Sequence, residues 1–379
     1  MTPRPHAYHF LLLAALVVGW GGCGPLDPAR QAAFEPLILA GADAGPRVVV
    51  YGDLSTLLPG SGEATPWLER FLYGPRDAGA GRLRNPQGLA PLTGGLPVPQ
   101  RLLFVCDQGL PDVVAIDLIS GQFRRWTRFD DRPSCPVDVA VDDAGRVYVA
   151  DTTRLAVLVY DPNGRLLREL APEPDEGGAF RPTSVLWNDG VLYIGDSGVG
   201  CVERFATVDD TWLAPMSPPG DRRGVVAPTG LGMTPDGVLL IADAVQGMVH
   251  RVDVEGRWLD PVGRWGRGPG QFIRPKHVCC TSSGYVLVTD AARQSVAMFD
   301  SGGTFVTEIG AVDAAGKRLT LPAGLAVCPP DVSAIAEAAA ASLAGPSAEY
   351  VIISDTLGGV SLTLIGIGKA VGEEDSHGA

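Results

Sequence analysis

The chain predicts an all-β fold, a six-bladed β-propeller whose ring is closed by an N-terminal strand. Three observations carry it: a short pattern recurs at a near-constant period, each copy alternates apolar runs with turn residues, and the copies number six. The prolines that open the later copies stand at 136, 182, 228, 275 and 322, in steps of 46, 46, 47 and 47. Periods of that length belong to solenoids and propellers, and they constrain the fold before any local reading.

Each copy opens with a proline and an apolar run, and a second apolar run then ends in aspartate. The clearest copies start Pro136-Val-Asp-Val-Ala, Pro228-Thr-Gly-Leu-Gly and Pro275-Lys-His-Val-Cys, and reach Asp151, Asp243 and Asp290. The copy at Pro182 is one residue shorter and ends at Asp196. Two diverged copies complete the set, from Pro86 to Asp107 and from Pro322, after an insertion, to Asp355. In the second copy, β-branched and aromatic runs predict strands over 137–141, 146–150, 156–160 and 166–170. Asp161-Pro-Asn-Gly164 makes the tight turn between the last two. A four-stranded sheet cannot bury both faces alone, so the six stack radially about a channel.

Closing the ring needs one more strand. The segment 67–74, Trp-Leu-Glu-Arg-Phe-Leu-Tyr-Gly, is like the run from Trp258 that ends the fourth copy, and both lead through glycines into a repeat proline. It is therefore expected to be the outer strand of the sixth blade. Strand-like 47–51 finds no place in that scheme, and 362–367 competes for the same position. The expected organisation is a signal peptide at 1–22, a tether and irregular segment at 23–65, the propeller at 66–368 and a disordered tail at 369–379.

At this point the residues carry a resemblance. Gly266-Arg-Gly-Pro-Gly-Gln-Phe-Ile-Arg-Pro275, followed by Val288-Thr-Asp290, Arg293 and Met298-Phe-Asp300, resembles the NHL-repeat pattern, and similar matches recur from residue 74 to 325. The resemblance implies the propeller fold and little about function, because such propellers serve as binding platforms, sensor domains and occasionally enzymes.

Arg4 precedes the nine-residue apolar run 10–18, too short to span a bilayer and of signal-peptide type. Gly21-Gly-Cys23 resembles a bacterial lipoprotein cleavage box, in which the cysteine is acylated; Trp20 stands where that box usually has leucine. The resemblance implies a membrane anchor at Cys23, on the periplasmic or outer-membrane side, with plain secretion as the alternative. Gly24 follows, rather than the aspartate that retains such proteins in an inner membrane. The Ala-, Pro- and Gly-rich stretch 24–46 suits a flexible tether.

Thirty Lys and Arg against 43 Asp and Glu give a net charge of −13. A phosphate-binding surface needs a basic stripe, so nucleic acid is not an expected partner. Beyond Cys23 there are six cysteines, an even number that permits full pairing in an exported chain. Cys280 with Cys328, and Cys106 with Cys135, are the candidate disulfides; buried thiols packing as small hydrophobes are the alternative. No Cys-x-x-Cys or histidine-rich spacing points to a structural metal.

Two motifs look catalytic and are not expected to be. Gly195-Asp-Ser-Gly198 spells a serine-protease nucleophile sequence, but Asp196 is one of the repeat aspartates and no histidine is placed to activate Ser197. The glycine-rich 263–270 run joins two blades and precedes no helix, so it is a linker. The repeat aspartates themselves are expected to cap turn amides.

The position two residues after each repeat proline opens the channel mouth. Around the ring it reads Gly88, Asp138, Ser184, Gly230, His277 and Gly324. Asp138, Ser184 and His277 are the candidate catalytic residues, and Asp138 with His277 the candidate ligands of a possible divalent metal. Blades two and five face one another across a six-fold ring, so Asp138 and His277 are expected beyond hydrogen-bond length. Long insertions at 91–100 and 329–348, the second holding a predicted short helix, are expected on the opposite face as one contact surface.

Two functional classes follow. The first is an envelope-anchored, non-catalytic binding or scaffolding protein for protein partners, with no predicted cofactor. The second is a metal-assisted lyase or lactonase at the channel mouth.

Overall fold

Every inner strand begins at its repeat proline. The six run Pro86–Pro91, Pro136–Val141, Pro182–Asn188, Pro228–Met233, Pro275–Cys280 and Pro322–Val327. Proline lacks an amide donor and is tolerated at the first residue of a strand, so it marks these starts without breaking a ladder. The computed structural model describes residues 37–39, 46–53, 83–92, 102–118, 122–173, 179–218, 224–310, 319–328, 349–357 and 362–370.

Blades 1 to 5 are four-stranded antiparallel sheets in simple meander order. Blade 2, for example, comprises Pro136–Val141, Val147–Asp151, Ala156–Tyr160 and Leu166–Leu170. Its last turn forms as the sequence predicts: the Asp161 carboxylate accepts the amides of Asn163 at 2.8 Å and Arg165 at 3.0 Å. Gly164 takes the positive φ of +74° that this turn requires. Among the described residues the helical content is one 3-10 turn, Phe129–Asp131, and no helix is long and apolar enough to cross a membrane.

The core lies between blades. One apolar cluster joins Phe104, Val113 and Trp126 of blade 1 to Val149, Leu158 and Tyr160 of blade 2. Equivalent clusters join blades 2 and 3, 3 and 4, 4 and 5, and 5 and 6. Burying both faces of each sheet against its neighbours is what a single blade cannot do.

The sixth blade corrects the expected closure. Its strands run Pro322–Val327, Glu349–Asp355, Leu362–Ala370 and Pro46–Asp53, with Leu37–Leu39 added at the edge. An N-terminal strand closes the ring, but it is Pro46–Asp53, pairing antiparallel with Leu362–Ala370, so the ring extends N-terminal to residue 66. Segment 47–51, which had no place in the expected scheme, supplies the fourth strand. Segment 362–367, expected to compete for that position, lies in the third, and buried Val48 completes the blade 5–6 core. Segment 67–74, the signal peptide, Cys23 and the 329–348 insertion lie outside the described residues, as does most of 91–100.

Hydroxyls stitch the inner strands around the axis. Thr183 Oγ1 donates to Pro228 O at 2.7 Å, Thr229 Oγ1 to Pro275 O at 3.1 Å and Thr289 Oγ1 to Ala323 O at 2.8 Å. At the seam between blades 6 and 1, Ser354 Oγ donates to Gln87 O at 2.6 Å and Thr356 Oγ1 to Pro86 O at 3.0 Å.

Candidate functional site

The inner strands converge so closely that the channel mouth is filled by its own side chains. Asp138 in blade 2 is 2 % exposed and His277 in blade 5 is 9 % exposed. They reach across the axis, with His277 Nε2 3.6 Å from Asp138 Oδ1. That lies just outside a direct hydrogen bond, but it is contact rather than the separation that opposite blades imply. Asp138 Oδ2 is engaged with blade 3, accepting the Val185 amide at 2.9 Å. Ser184, fully buried, donates from Oγ to Pro228 O at 3.0 Å.

Glycine at the neighbouring positions makes this approach possible. A Cβ on Gly88 would stand 1.9 Å from Asp138 Oδ1 and 2.6 Å from its Cα; one on Gly230 would stand 2.4 Å from His277 Cα. Lys276, beside His277, crosses to blade 1 and donates to Gln87 Oε1 at 2.9 Å. Burial, aided by nearby Arg274, holds the Lys276 ammonium pKa below its ordinary value despite the opposing pull of Asp138. The Lys276–Gln87 link carried no sequence signal, because both residues sit one position off the repeat's channel-mouth site.

Two buried atoms remain unpartnered here, Asp138 Oδ1 and His277 Nδ1. A catalytic divalent metal needs about three protein ligands, yet among the described residues no third His, Cys, Asp or Glu joins these two.

The repeat aspartates act as caps. Asp151 accepts the amides of Ser134 and Cys135 on Oδ2 and those of Thr153 and Arg154 on Oδ1. Asp290 repeats the pattern with Ile273, Arg274, Ala292 and Arg293. Each thus ties the linker before its blade to its own second hairpin. Burial pushes the Asp243 carboxyl up, but His250 and the amides of Val226, Gln246 and Val245 outweigh it and hold it below the ordinary value. His250 stands 3.5 Å away, long for a hydrogen bond, so the amides carry most of that effect.

Ser197 is half-buried and its hydroxyl lies 3.5 Å from Arg181 O. The two described histidines lie beside other carboxylates, His277 3.6 Å from Asp138 and His250 3.5 Å from Asp243. The 263–270 run is a linker, bridged where Arg264–Trp265 pairs with Gln271–Phe272. Neither candidate disulfide is present: Cys106, Cys135, Cys280 and Cys328 are thiols. Burial raises the Cys106 thiol pKa well above its ordinary value, and those of Cys280 and Cys328 to about 12. Cys106 and Cys328 are buried and pack as core side chains, while Cys280 is half-buried at the end of its strand.

Fold and mouth together define the class, a six-bladed β-propeller with a side-chain-filled axis. More narrowly, residues 134–166, within blade 2, match the model of the NHL repeat. No curated protein matches it in sequence. Among solved structures it is similar to a gluconolactonase from Xanthomonas campestris, at 16% identity over 88% of this chain and 94% of that one, with a TM-score of 0.54. A catalytically inactive virginiamycin B lyase from Staphylococcus aureus, solved with quinupristin, matches at 12% identity over 88% and 98%, TM-score 0.52. A protein of unknown function from Bacteroides thetaiotaomicron matches at 13% identity over 76% and 70%, TM-score 0.53. At such identities the likeness is one of fold alone.

Proposed function

We propose that this chain is a non-catalytic binding or scaffolding propeller for protein partners, held at the cell envelope through a lipid anchor at Cys23. The observation that carries the reading is an apolar rim on the face that bears the repeat aspartates. Leu155, Val199, Val245 and Leu357 occupy the turn after the second strand in blades 2, 3, 4 and 6, and all are exposed. Val226, in the linker before blade 4, adds to them. Trp265, 69% exposed, packs over Gly247 in the same turn as Val245, itself 62% exposed.

Single exposed hydrophobes are ordinary, but recurrence at equivalent turns of one face is what a docking surface offers. The mouth is compatible with the same reading, since Asp138 is engaged by the Val185 amide and Ser184 by Pro228 O. The predicted insertion surface on the opposite face remains a second possible contact.

The test replaces Val245, Trp265 and Leu357 together with serine and captures partners from envelope extract with the full chain. Loss of a specific partner, with an unchanged circular dichroism spectrum, is the expected result. Capture that survives the triple variant sinks the rim as the binding face.

The second reading, a lactonase or lyase, rests on the two unpartnered atoms at the mouth and on the fold shared with the gluconolactonase and the lyase. Turnover of a lactone or a streptogramin by the wild type, abolished in His277→Ala, would favour it. An inactive wild type supports the binding role.

A further inference from the structure

One blade departs from the aspartate pattern, and its departure builds a site. In blades 1, 2, 4, 5 and 6, the amide two residues before the repeat proline caps the outer aspartate oxygen: Arg84, Ser134, Val226, Ile273 and Thr320 all donate to Oδ2. In blade 3, the copy that is one residue short, both amide bonds fall on Asp196 Oδ1, from Arg181 at 2.9 Å and Gly198 at 2.7 Å. Asp196 Oδ2 is left buried without a hydrogen-bond partner, in a residue only 1% exposed.

What faces that oxygen is also particular to this blade. Cys201 pairs directly with Asp196 across the hairpin, and Glu203, two residues on, shares its face. The equivalent pairs in blades 1, 2, 4 and 5 are Asp112 with Val114, Ala156 with Leu158, Met248 with His250, and Ser295 with Ala297. In blade 4, His250 stands 3.5 Å from Asp243 Oδ2, so the Glu203 position addresses the aspartate's outer oxygen. The ligand atoms of Asp196, Cys201 and Glu203 all lie within 4.8 Å of one another, the one such group of three among the described residues.

Two carboxylates and a thiol at this spacing, one carboxylate oxygen buried and unpartnered, offer a cation three ligand atoms. Zinc accepts thiolate sulfur and carboxylate oxygen together at tetrahedral geometry, with ligand atoms about 3.5 Å apart, so a small contraction would seat it. We propose that Asp196, Cys201 and Glu203 form a zinc-class divalent cation site, distinct from the channel mouth. Cys201 Sγ, which now lies 3.2 Å from Glu203 Oε1, gives its proton to solvent as the sulfur–metal bond forms. Water fills the fourth position. The cation clamps the 196–201 hairpin, and with it Val199, on the apolar rim.

Titration of the purified full chain with cobalt(II) tests this directly. The expected result is one cobalt per chain with a near-ultraviolet thiolate-to-cobalt charge-transfer band, displaced by zinc. Cys201→Ser removes the band. Glu203→Gln, at a partly exposed position and so no threat to folding, weakens binding by more than the roughly 10–100-fold that loss of a supporting neighbour costs. His277→Ala leaves the band intact. A folded wild type without the band, or a band that persists in Cys201→Ser, overturns the site.

Discussion

His277 and Asp138, from opposite blades, meet at 3.6 Å across the propeller axis. The contact joins two halves of the ring through side chains rather than backbone. Asp138 also holds blade 3 through the Val185 amide.

Asp138→Ala strips the buried Val185 amide of its partner and should cost about 1–3 kcal/mol of stability, read as a lower urea midpoint. A double-mutant cycle with His277→Ala should return a coupling of roughly 0.5–3 kcal/mol. Zero coupling would mean the two side chains do not interact in solution.

Gly88 and Gly230 admit no side chain. Gly88→Ala brings its Cβ against the Asp138 backbone as well as its carboxylate, so Asp138→Ala should not rescue it. Overpacking of this kind costs about 1–3 kcal/mol or more. Thermal melts of the single and double variants compare the two; full rescue would show that only the carboxylate was in the way.

Acid should loosen the joint between blades 5 and 6. Burial raises the Glu349 carboxyl, but hydrogen bonds from Ser282, Ser283 and Thr281 outweigh it, leaving it below the ordinary 4.5. A folded value below the unfolded one stabilises the fold fully above pH 4.5, and that contribution is lost as pH falls through the folded value. In Glu349→Gln the melting temperature should therefore fall less steeply below that pH than in the wild type. Parallel curves would remove Glu349 as the cause.

The six propeller cysteines should all alkylate once the chain is denatured without reductant, as mass spectrometry would show. In the native state Cys106 and Cys279 should resist, because burial holds both thiols protonated. A mass lacking two alkyl groups would reveal a disulfide.

The sequence by itself determined the six-fold repeat, the strand starts at the prolines, the Asp161–Gly164 turn and the capping role of the aspartates. All of these arise within one blade, from short-range pairing and turn chemistry that a linear pattern records. Only the tertiary structure decided which segment closes the ring, because Pro46–Asp53 pairs with strands some 300 residues away and nothing in its local composition names its neighbour. It also decided that Asp138 and His277 touch, since that depends on how tightly glycines let the inner strands converge. The Asp196, Cys201 and Glu203 cluster lay between these limits. Its short copy was visible in the sequence, but the uncapped oxygen it leaves appears only when two strands pair and a third residue turns to face it.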